Sequence, residues 1–185
     1  TLLPLKASLG LDWVKVVDSK GMVLLDAPKD GLNSANFSES AILNSAIAGA
    51  NLTDLVFVKK SKQMPVLLVA NHPIKTDRLL GGIIIGRLVN DALLQKIAAG
   101  SSKQLVALVN RQIIAKTLPT LQEINLDVAT NAPDMRIKVG KQGYLANALV
   151  LNGSQGSLAV WVLYPVAALE SAKRALWLRL GLMLL

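Results

Sequence analysis

Few residues in this chain have the type and spacing that catalysis or metal binding requires. His72 is the only histidine, and no serine, aspartate or second histidine is paired with it in the sequence, which disfavours acid–base catalysis. The chain has no cysteine, so thiolate zinc sites, thiol nucleophiles and disulfides are excluded. The carboxylates are scattered, with no Asp-x-Asp pair and no EF-hand pattern. We therefore expect no enzymatic activity, no metal and no cofactor in this domain.

A small-molecule site is the remaining kind of chemistry, and five residues are candidates for it. The aromatic pair offers apolar walls, the cationic pair could fix an anionic group such as a carboxylate, and the histidine shares a polar loop with the lysine. The competing interpretations are core packing for the aromatic residues, a plain loop position for the histidine, and an ion pair or solvent for the arginine. The candidates are Trp13, Phe57, His72, Lys75 and Arg87.

The charge of the chain raises the question of a nucleic-acid partner. Twenty basic residues against twelve acidic ones give a net charge of +8. The basic residues are spread in small groups, no run of five occurs, and aromatic residues are not interleaved with them as stacking platforms would require. We therefore expect solvated faces and loop tips, and no nucleic-acid partner.

The end of the chain is its most apolar part. Ala175–Leu185 carries a single charge, at Arg179. A membrane-spanning helix needs about 20 apolar residues, so this segment alone cannot span. It is either an apolar helix docked on the core or the first half of a spanning helix, and its end without a cap or polar tail favours the second interpretation.

The elements that would position the candidate residues repeat along the chain. An apolar strand runs directly into a helix in Gly82–Ala98 and again in Ser157–Lys173. The strand hairpin Val14–Pro28 likewise matches Val106–Pro119. Internal repetition of this kind indicates two copies of one antiparallel-sheet module in series.

The first module reads as two strands, a helix and three strands, which is the order of a PAS-like unit. Asn71–Arg78 is predicted as a polar loop, Asp26–Asn36 as another, and glycines 81, 82 and 86 indicate a bulge or a close backbone approach on the last strand. The ligand pocket is expected between the inner sheet face and the helix–loop cover. The predicted elements are strands Leu11–Val17 and Met22–Leu25, helix Phe37–Ala48 with Ser38 as its N-cap, and strands Asp54–Lys60, Met64–Ala70 and Leu79–Val89.

The second module begins with helix Asp91–Ala99, for which Asn90 is the predicted N-cap. The connection Pro119–Asp134 holds at most one helical turn, so its cover is smaller than that of the first module. The predicted strands are Gln104–Val109, Ile113–Leu118, Met135–Val139 with Met135, Ile137 and Val139 facing inward, Tyr144–Val150 and Ser157–Tyr164, followed by a terminal helix that opens at Pro165.

Two stretches resemble a known family. Leu9–Pro28 resembles the opening hairpin of extracytoplasmic Cache sensor domains. Leu79–Pro119 is similar to the middle of the double-Cache domains of bacterial histidine kinases, diguanylate cyclases and adenylate cyclases. The resemblance extends over about Leu9–Leu169, and Thr1–Gly10 is the part that could represent the end of the long first helix of such domains.

This resemblance implies an α+β fold of two PAS-like (Cache) modules in tandem, 9–89 and 90–165, with a C-terminal signalling helix and the start of a membrane span in 166–185. It implies a sensory domain of an inner-membrane receptor that faces the periplasm or the exterior. Such a domain would bind a small molecule, with anionic molecules among the candidates, and pass a helix displacement to a cytoplasmic kinase or cyclase. A homodimer anchored through its flanking helices is expected, and the alternative is a structural or dimerisation module without a ligand.

Overall fold

The computed structural model describes residues 2–30, 32, 40–58, 65–119, 121, 135–167, 170, 171, 173 and 175–177. The chain divides into two compact units, Thr1–Val89 with Asn152–Leu158 and Asn90–Leu151 with Ala159–Leu185. Each unit is built on a five-stranded antiparallel sheet, so the predicted tandem of PAS-like sheets is confirmed.

The first sheet has the strand order β2-β1-β5-β4-β3. The central strand β5 is therefore the last one along the chain, and it pairs with β1 on one side and β4 on the other. The elements of this unit are α1 (Leu2–Leu9), β1 (Trp13–Asp18), β2 (Val23–Pro28), α2 (Ser40–Ile47), β3 (Leu52–Phe57), β4 (Val66–Lys75) and β5 (Leu79–Leu88).

One face of this sheet, here called the inner face, is covered by α2. Side chains alternate between the two faces of a strand, and in β4 and β5 buried residues alternate with more exposed ones. Helix α2 contributes Ile42 and Ala46 to the core that lies on the inner face. The sheet residues of this core are Trp13, Val17, Val56, Val58, Leu67, Val69 and Ile84.

The glycines of β5 allow close approach, as predicted. A Cβ atom on Gly82 would lie 2.8 Å from Cβ of Ala46, so a side chain there would push α2 off the sheet. A Cβ atom on Gly81 would lie 2.1 Å from the carbonyl oxygen of Val17. The register between β4 and β5 shifts next to Gly81, where Ile74 pairs with Gly81 and Lys75 with Leu79.

The prediction of a polar loop over Asn71–Arg78 is wrong for its first half, because β4 continues to Lys75. His72 pairs with Ile83 and Pro73 with Gly82 of the neighbouring strand. Strand β3 reaches only as far as the partner of Asn71, so beyond that point β4 has a neighbour on one side only. A proline is tolerated in such an edge position because its missing N–H has no partner to lose there.

Strand β2 also extends further than predicted, to Pro28, and takes in the start of the predicted loop Asp26–Asn36. The cause is the pairing of Asp26 with Lys15 and of Pro28 with Trp13. The predicted N-cap Ser38 and the connection between the predicted strands Asp54–Lys60 and Met64–Ala70 lie outside the described residues.

The second sheet has the order β7-β6-β10-β9-β8, the same arrangement as in the first unit. The side chain of Asn90 accepts a hydrogen bond from the backbone N–H of Leu93, which confirms it as the N-cap of α3. The inward pattern of β8 is confirmed too, since Arg136 and Lys138 are its exposed positions. The elements are α3 (Asp91–Ala98), β6 (Gln104–Val109), β7 (Gln112–Lys116), β8 (Met135–Val139), β9 (Gln142–Gly153) and β10 (Gly156–Pro165).

The C-terminal predictions are tested only in part. Pro165 is the last residue of β10 and not the first of a helix, a difference of one residue at an element boundary. Residues 122–134 and 178–185 lie outside the described part, so the small cover of the second module and the entry into a membrane span stay predictions. In the part of the chain that the structure describes, no helix is long and apolar enough to cross a membrane.

Candidate functional site

An ion pair lies on the inner face of the first sheet. Trp13, Lys15 and Val17 alternate along β1, so all three point toward the face that α2 covers. Nζ of Lys15 is 3.4 Å from Oδ2 of Asp26, which lies on β2 and pairs with Lys15. The side chain of Lys15 is 5% exposed and that of Asp26 is 24% exposed. A charged pair thus lies on the same sheet face as the apolar core of this unit.

The indole of Trp13 completes this cluster. Its Nε1 donates a hydrogen bond to Oδ1 of Asp26 at 2.8 Å, and Nζ of Lys15 lies 5.3 Å from the centre of its ring. Asp26 therefore accepts from the indole with one oxygen and meets the ammonium with the other. The ring needs the glycine opposite it, because a Cβ atom on Gly86 would come within 3.1 Å of Trp13 Cε3.

Asn71 fixes the segment that joins α2 to the sheet. It lies in the same row as Lys15, since both pair with Ile84 from opposite sides. Its buried side chain accepts from the N–H of Leu52 at 2.7 Å and donates to the carbonyl oxygen of Ala50 at 2.7 Å. Because both ends of the amide are satisfied, Asn71 acts as a positioning residue for the inner face.

Asp12 holds the start of β1 next to Trp13. Its Oδ2 accepts from the backbone N–H of Leu88 at 2.8 Å, and its Oδ1 lies 3.1 Å from Nζ of Lys29. The backbone carbonyl of Asp12 also accepts from the N–H of Lys29. These contacts join the ends of β1, β2 and β5 and thereby fix the position of the indole.

The five residues predicted as ligand contacts do not come together at one place. Trp13 lies on the inner face, whereas alternation along β5 and β4 places Arg87 and His72 on the opposite, outer face. Arg87 is half-buried, with one guanidinium nitrogen close to Gly10. His72 is exposed, and its Nδ1 lies 3.0 Å from Oδ1 of Asn51.

The other two predicted contacts are separate again. Lys75 is exposed and donates from Nζ to the carbonyl oxygen of Gly49, just after α2. Phe57 is the half-buried last residue of the edge strand β3. The ligand roles of all five stay predictions.

Sequence reasoning missed three polar residues of the inner face: Lys15, Asp26 and Asn71. A signal for Lys15 was present, because it stands at an inward position between Trp13 and Val17 in an alternating run. For the other two there was none, since each was assigned to a loop. Their importance follows from strand pairing, which the sequence does not display.

No protein-family model and no curated protein matches the chain. Among solved structures, the periplasmic domain of Vibrio cholerae LuxQ is similar, with 23% identity, 88% of this chain and 75% of that chain covered, and a TM-score of 0.57. A second, selenomethionine structure of that domain gives 20% identity, coverage of 87% and 74%, and a TM-score of 0.56. The ligand-binding domain of Campylobacter jejuni chemoreceptor Tlp3 in complex with 4-methylisoleucine is 14% identical. The match covers 87% of this chain and 68% of that chain, with a TM-score of 0.48.

At 23% and 20% identity, the similarity to the LuxQ domain shows the fold alone. The LuxQ domain is matched over most of both chains, and its match spans both units of this chain. The weaker Tlp3 match adds nothing to that assignment. The chain therefore shares a tandem PAS-like fold with the LuxQ domain, and the resemblance to Cache sensor domains is confirmed at the level of the fold.

Proposed function

We propose that this chain is the extracytoplasmic sensory domain of a membrane-bound signalling receptor. It would face the periplasm or the exterior, dimerise, bind a small molecule and pass a helix displacement to a cytoplasmic output domain. The fold that it shares with the LuxQ periplasmic domain supports this proposal. Because one fold serves many functions, the argument must rest on the residues of a site.

The observation that carries the proposal is the Lys15–Asp26 pair on the inner face of the first sheet. Moving two charges out of water is costly, and apolar residues of similar volume often give equal or greater stability. An ion pair on the inner face is therefore poorly explained by stability alone. The sequence predicts a ligand pocket over this face of the sheet.

The charges suggest what such a ligand carries. A carboxylate would share the ammonium of Lys15 with Asp26, and Asp26 would then be free to accept from an N–H group of the ligand. The face of the Trp13 indole would supply an apolar wall. We infer a small carboxylate, and within that class one with a donor group close to the carboxylate.

Tight packing supports the alternative of a structural or dimerisation module. Trp13, Leu67 and Ile84 on the inner face are completely buried. The ion pair and the indole N–H also satisfy one another without any ligand. In that case the cluster would only fix the register of β1 against β2.

A ligand screen with matched lysine and arginine variants separates these proposals. Thermal shifts would be measured with the proteinogenic amino acids and the aliphatic mono- and dicarboxylates, and calorimetry would follow for compounds that raise the melting temperature. Lys15→Met should weaken binding about tenfold to a hundredfold, the loss expected for one hydrogen bond to a charged group. Arg87→Met and Lys75→Met make the same kind of change at sites away from the inner-face cluster and should leave the affinity unchanged.

Each other outcome points to a different account. Loss of affinity in Arg87→Met or Lys75→Met, with Lys15→Met unaffected, would move the site to the residues predicted from sequence. Lys15→Arg keeps the charge, so it reports on binding if Lys15→Met does not fold. A screen without any shift would favour the structural module.

A further inference from the structure

The second unit buries a tryptophan whose indole N–H has no acceptor among the described residues. Trp161 of β10 is 1% exposed and belongs to the core of this unit. Its Nε1 is buried and makes no hydrogen bond to any part of the chain that the structure describes. Its neighbours in this core include Val106, Leu108 and Leu163.

A buried donor without an acceptor lowers the stability of the fold, because the group has lost its hydrogen bond to water. Buried polar groups in native proteins are in large majority paired for this reason. An indole N–H can only donate, so it requires an oxygen or another acceptor. The position of Trp161 therefore calls for an acceptor that the described residues do not supply.

Tyr144 adds a second polar group to the same core. It lies on β9, is 3% exposed and packs in one cluster with Trp161. Burial raises the pKa of its hydroxyl above the usual value. A donor-only indole and a hydroxyl that can donate or accept thus belong to one core.

The ammonium group of Lys116 is a charge close to this face. Val106 pairs with Trp161 on one side and with Lys116 on the other, so the three form one row across the sheet. Nζ of Lys116 donates to the carbonyl oxygen of Leu121 and lies 3.5 Å from that of Pro119. Its ammonium is therefore engaged with backbone carbonyl groups.

We propose that the inner face of the second unit binds a small, mainly apolar molecule that presents one hydrogen-bond acceptor oxygen to Nε1 of Trp161. The aliphatic neighbours of the indole favour an apolar body. A charged ligand would lose its hydration without gaining an opposite charge, since the ammonium of Lys116 is already engaged. This site is separate from the Lys15–Asp26 site proposed above, so either can fail without the other.

The test compares two probes of nearly equal shape on the full chain. With tryptophan labelled with ¹⁵N, the three tryptophans give separate indole signals, and Trp177, which is 65% exposed, serves as the solvent reference. Cyclohexanone carries the acceptor, and methylenecyclohexane replaces its oxygen by a CH₂ group. We expect a saturable shift of the Trp161 indole with cyclohexanone, a smaller and weaker response to methylenecyclohexane, and no response at Trp13.

Variants provide the second arm. Trp161→Phe should weaken cyclohexanone binding about twofold to tenfold, the loss expected for one neutral hydrogen bond. Trp177→Phe changes an exposed tryptophan, so it is the control and should leave the affinity unchanged. If Trp161→Phe does not fold, the pair of probes on the unaltered chain decides. A Trp161 signal that responds to neither probe, or equally to both, would overturn the proposal, because the acceptor would then be the chain itself or a fixed water.

Discussion

The two units each bury one indole on the inner face of a five-stranded sheet, and the two N–H groups have different surroundings. Trp13 donates to Asp26, which also pairs with Lys15. Trp161 has no acceptor within the described residues. Among the described residues, the first indole is thus satisfied by the chain itself, whereas the second has a donor that needs a partner.

The two indoles come from different strands of their sheets. Trp13 lies on β1 across from Gly86 of β5 and fills the space that the glycine leaves. Trp161 lies on the central strand β10 itself, across from Val106 of β6. Among the described residues, only the first indole donates to a carboxylate.

The largest expected effect comes from breaking the charged cluster of the first unit. Asp26→Leu would remove the carboxylate that Nζ of Lys15 and Nε1 of Trp13 both contact. We expect a loss of about 3 kcal/mol in the free energy of unfolding, at the low end for a broken buried pair because Asp26 retains 24% side-chain exposure. Urea denaturation followed by circular dichroism measures it.

Asp77→Leu is the matched control, since Asp77 is exposed in the turn between β4 and β5. It should change the free energy of unfolding little. Equal losses in the two variants would show that the cluster adds nothing specific to the first unit.

The next effect compares the two tryptophans directly. Trp13→Phe and Trp161→Phe remove the same volume from two buried positions, but only the first removes a hydrogen bond to a carboxylate. Trp13→Phe should therefore lose about 2 kcal/mol more free energy of unfolding than Trp161→Phe, as measured by urea denaturation. A Trp161→Phe variant that is destabilised as much as Trp13→Phe would mean that the second indole is already hydrogen-bonded.

A smaller effect concerns the helical cover of the first unit. Gly82→Ala would place a Cβ atom 2.8 Å from that of Ala46, and we expect a loss of about 1 kcal/mol as α2 shifts away from the sheet. In Gly143→Ala, the control in the second unit, the nearest atom would be Cγ2 of Val166 at 3.6 Å, an ordinary contact. Thermal denaturation measures both. Equal changes would contradict the close approach of α2 to β5.

The smallest effect is a difference in alkaline stability at Tyr144. Burial raises its pKa in the folded state, so its contribution is complete below the usual tyrosine value and is lost as pH rises through the folded-state pKa. Above about pH 10, the free energy of unfolding of Tyr144→Phe should therefore fall less steeply with pH than that of the unaltered chain. A profile in Tyr144→Phe that is as steep as that of the unaltered chain, or steeper, would contradict the burial of this hydroxyl.

Much of the fold could be predicted from sequence because the strands carry strong local patterns. Strands β6 and β8 were predicted with their observed bounds, and the N-cap at Asn90 was recognised from the residue type. The extension of β4 to Lys75 could not be predicted, because it depends on pairing with β5 and overrides a polar, proline-containing sequence. The local composition of Asn71–Lys75 is typical of a loop, but pairing with β5 holds this segment in an extended strand.

The candidate site was less predictable than the fold. Trp13 was selected for its aromatic ring, and its placement on the inner face follows from alternation along β1. Asp26 was assigned to a loop, so nothing in the sequence joined it to Lys15 or to the indole. Which charges meet on the inner face is decided by the register between β1 and β2, and that register includes an irregularity next to Val16.

Mass spectrometry of the purified chain under native and then denaturing conditions tests the sensor account most directly. The account predicts a native mass higher than the denatured mass by that of one small molecule, and loss of this difference in Lys15→Met but not in Arg87→Met. Equal native and denatured masses, together with no thermal shift from any amino acid or carboxylate, would contradict ligand binding and leave the structural module as the better account.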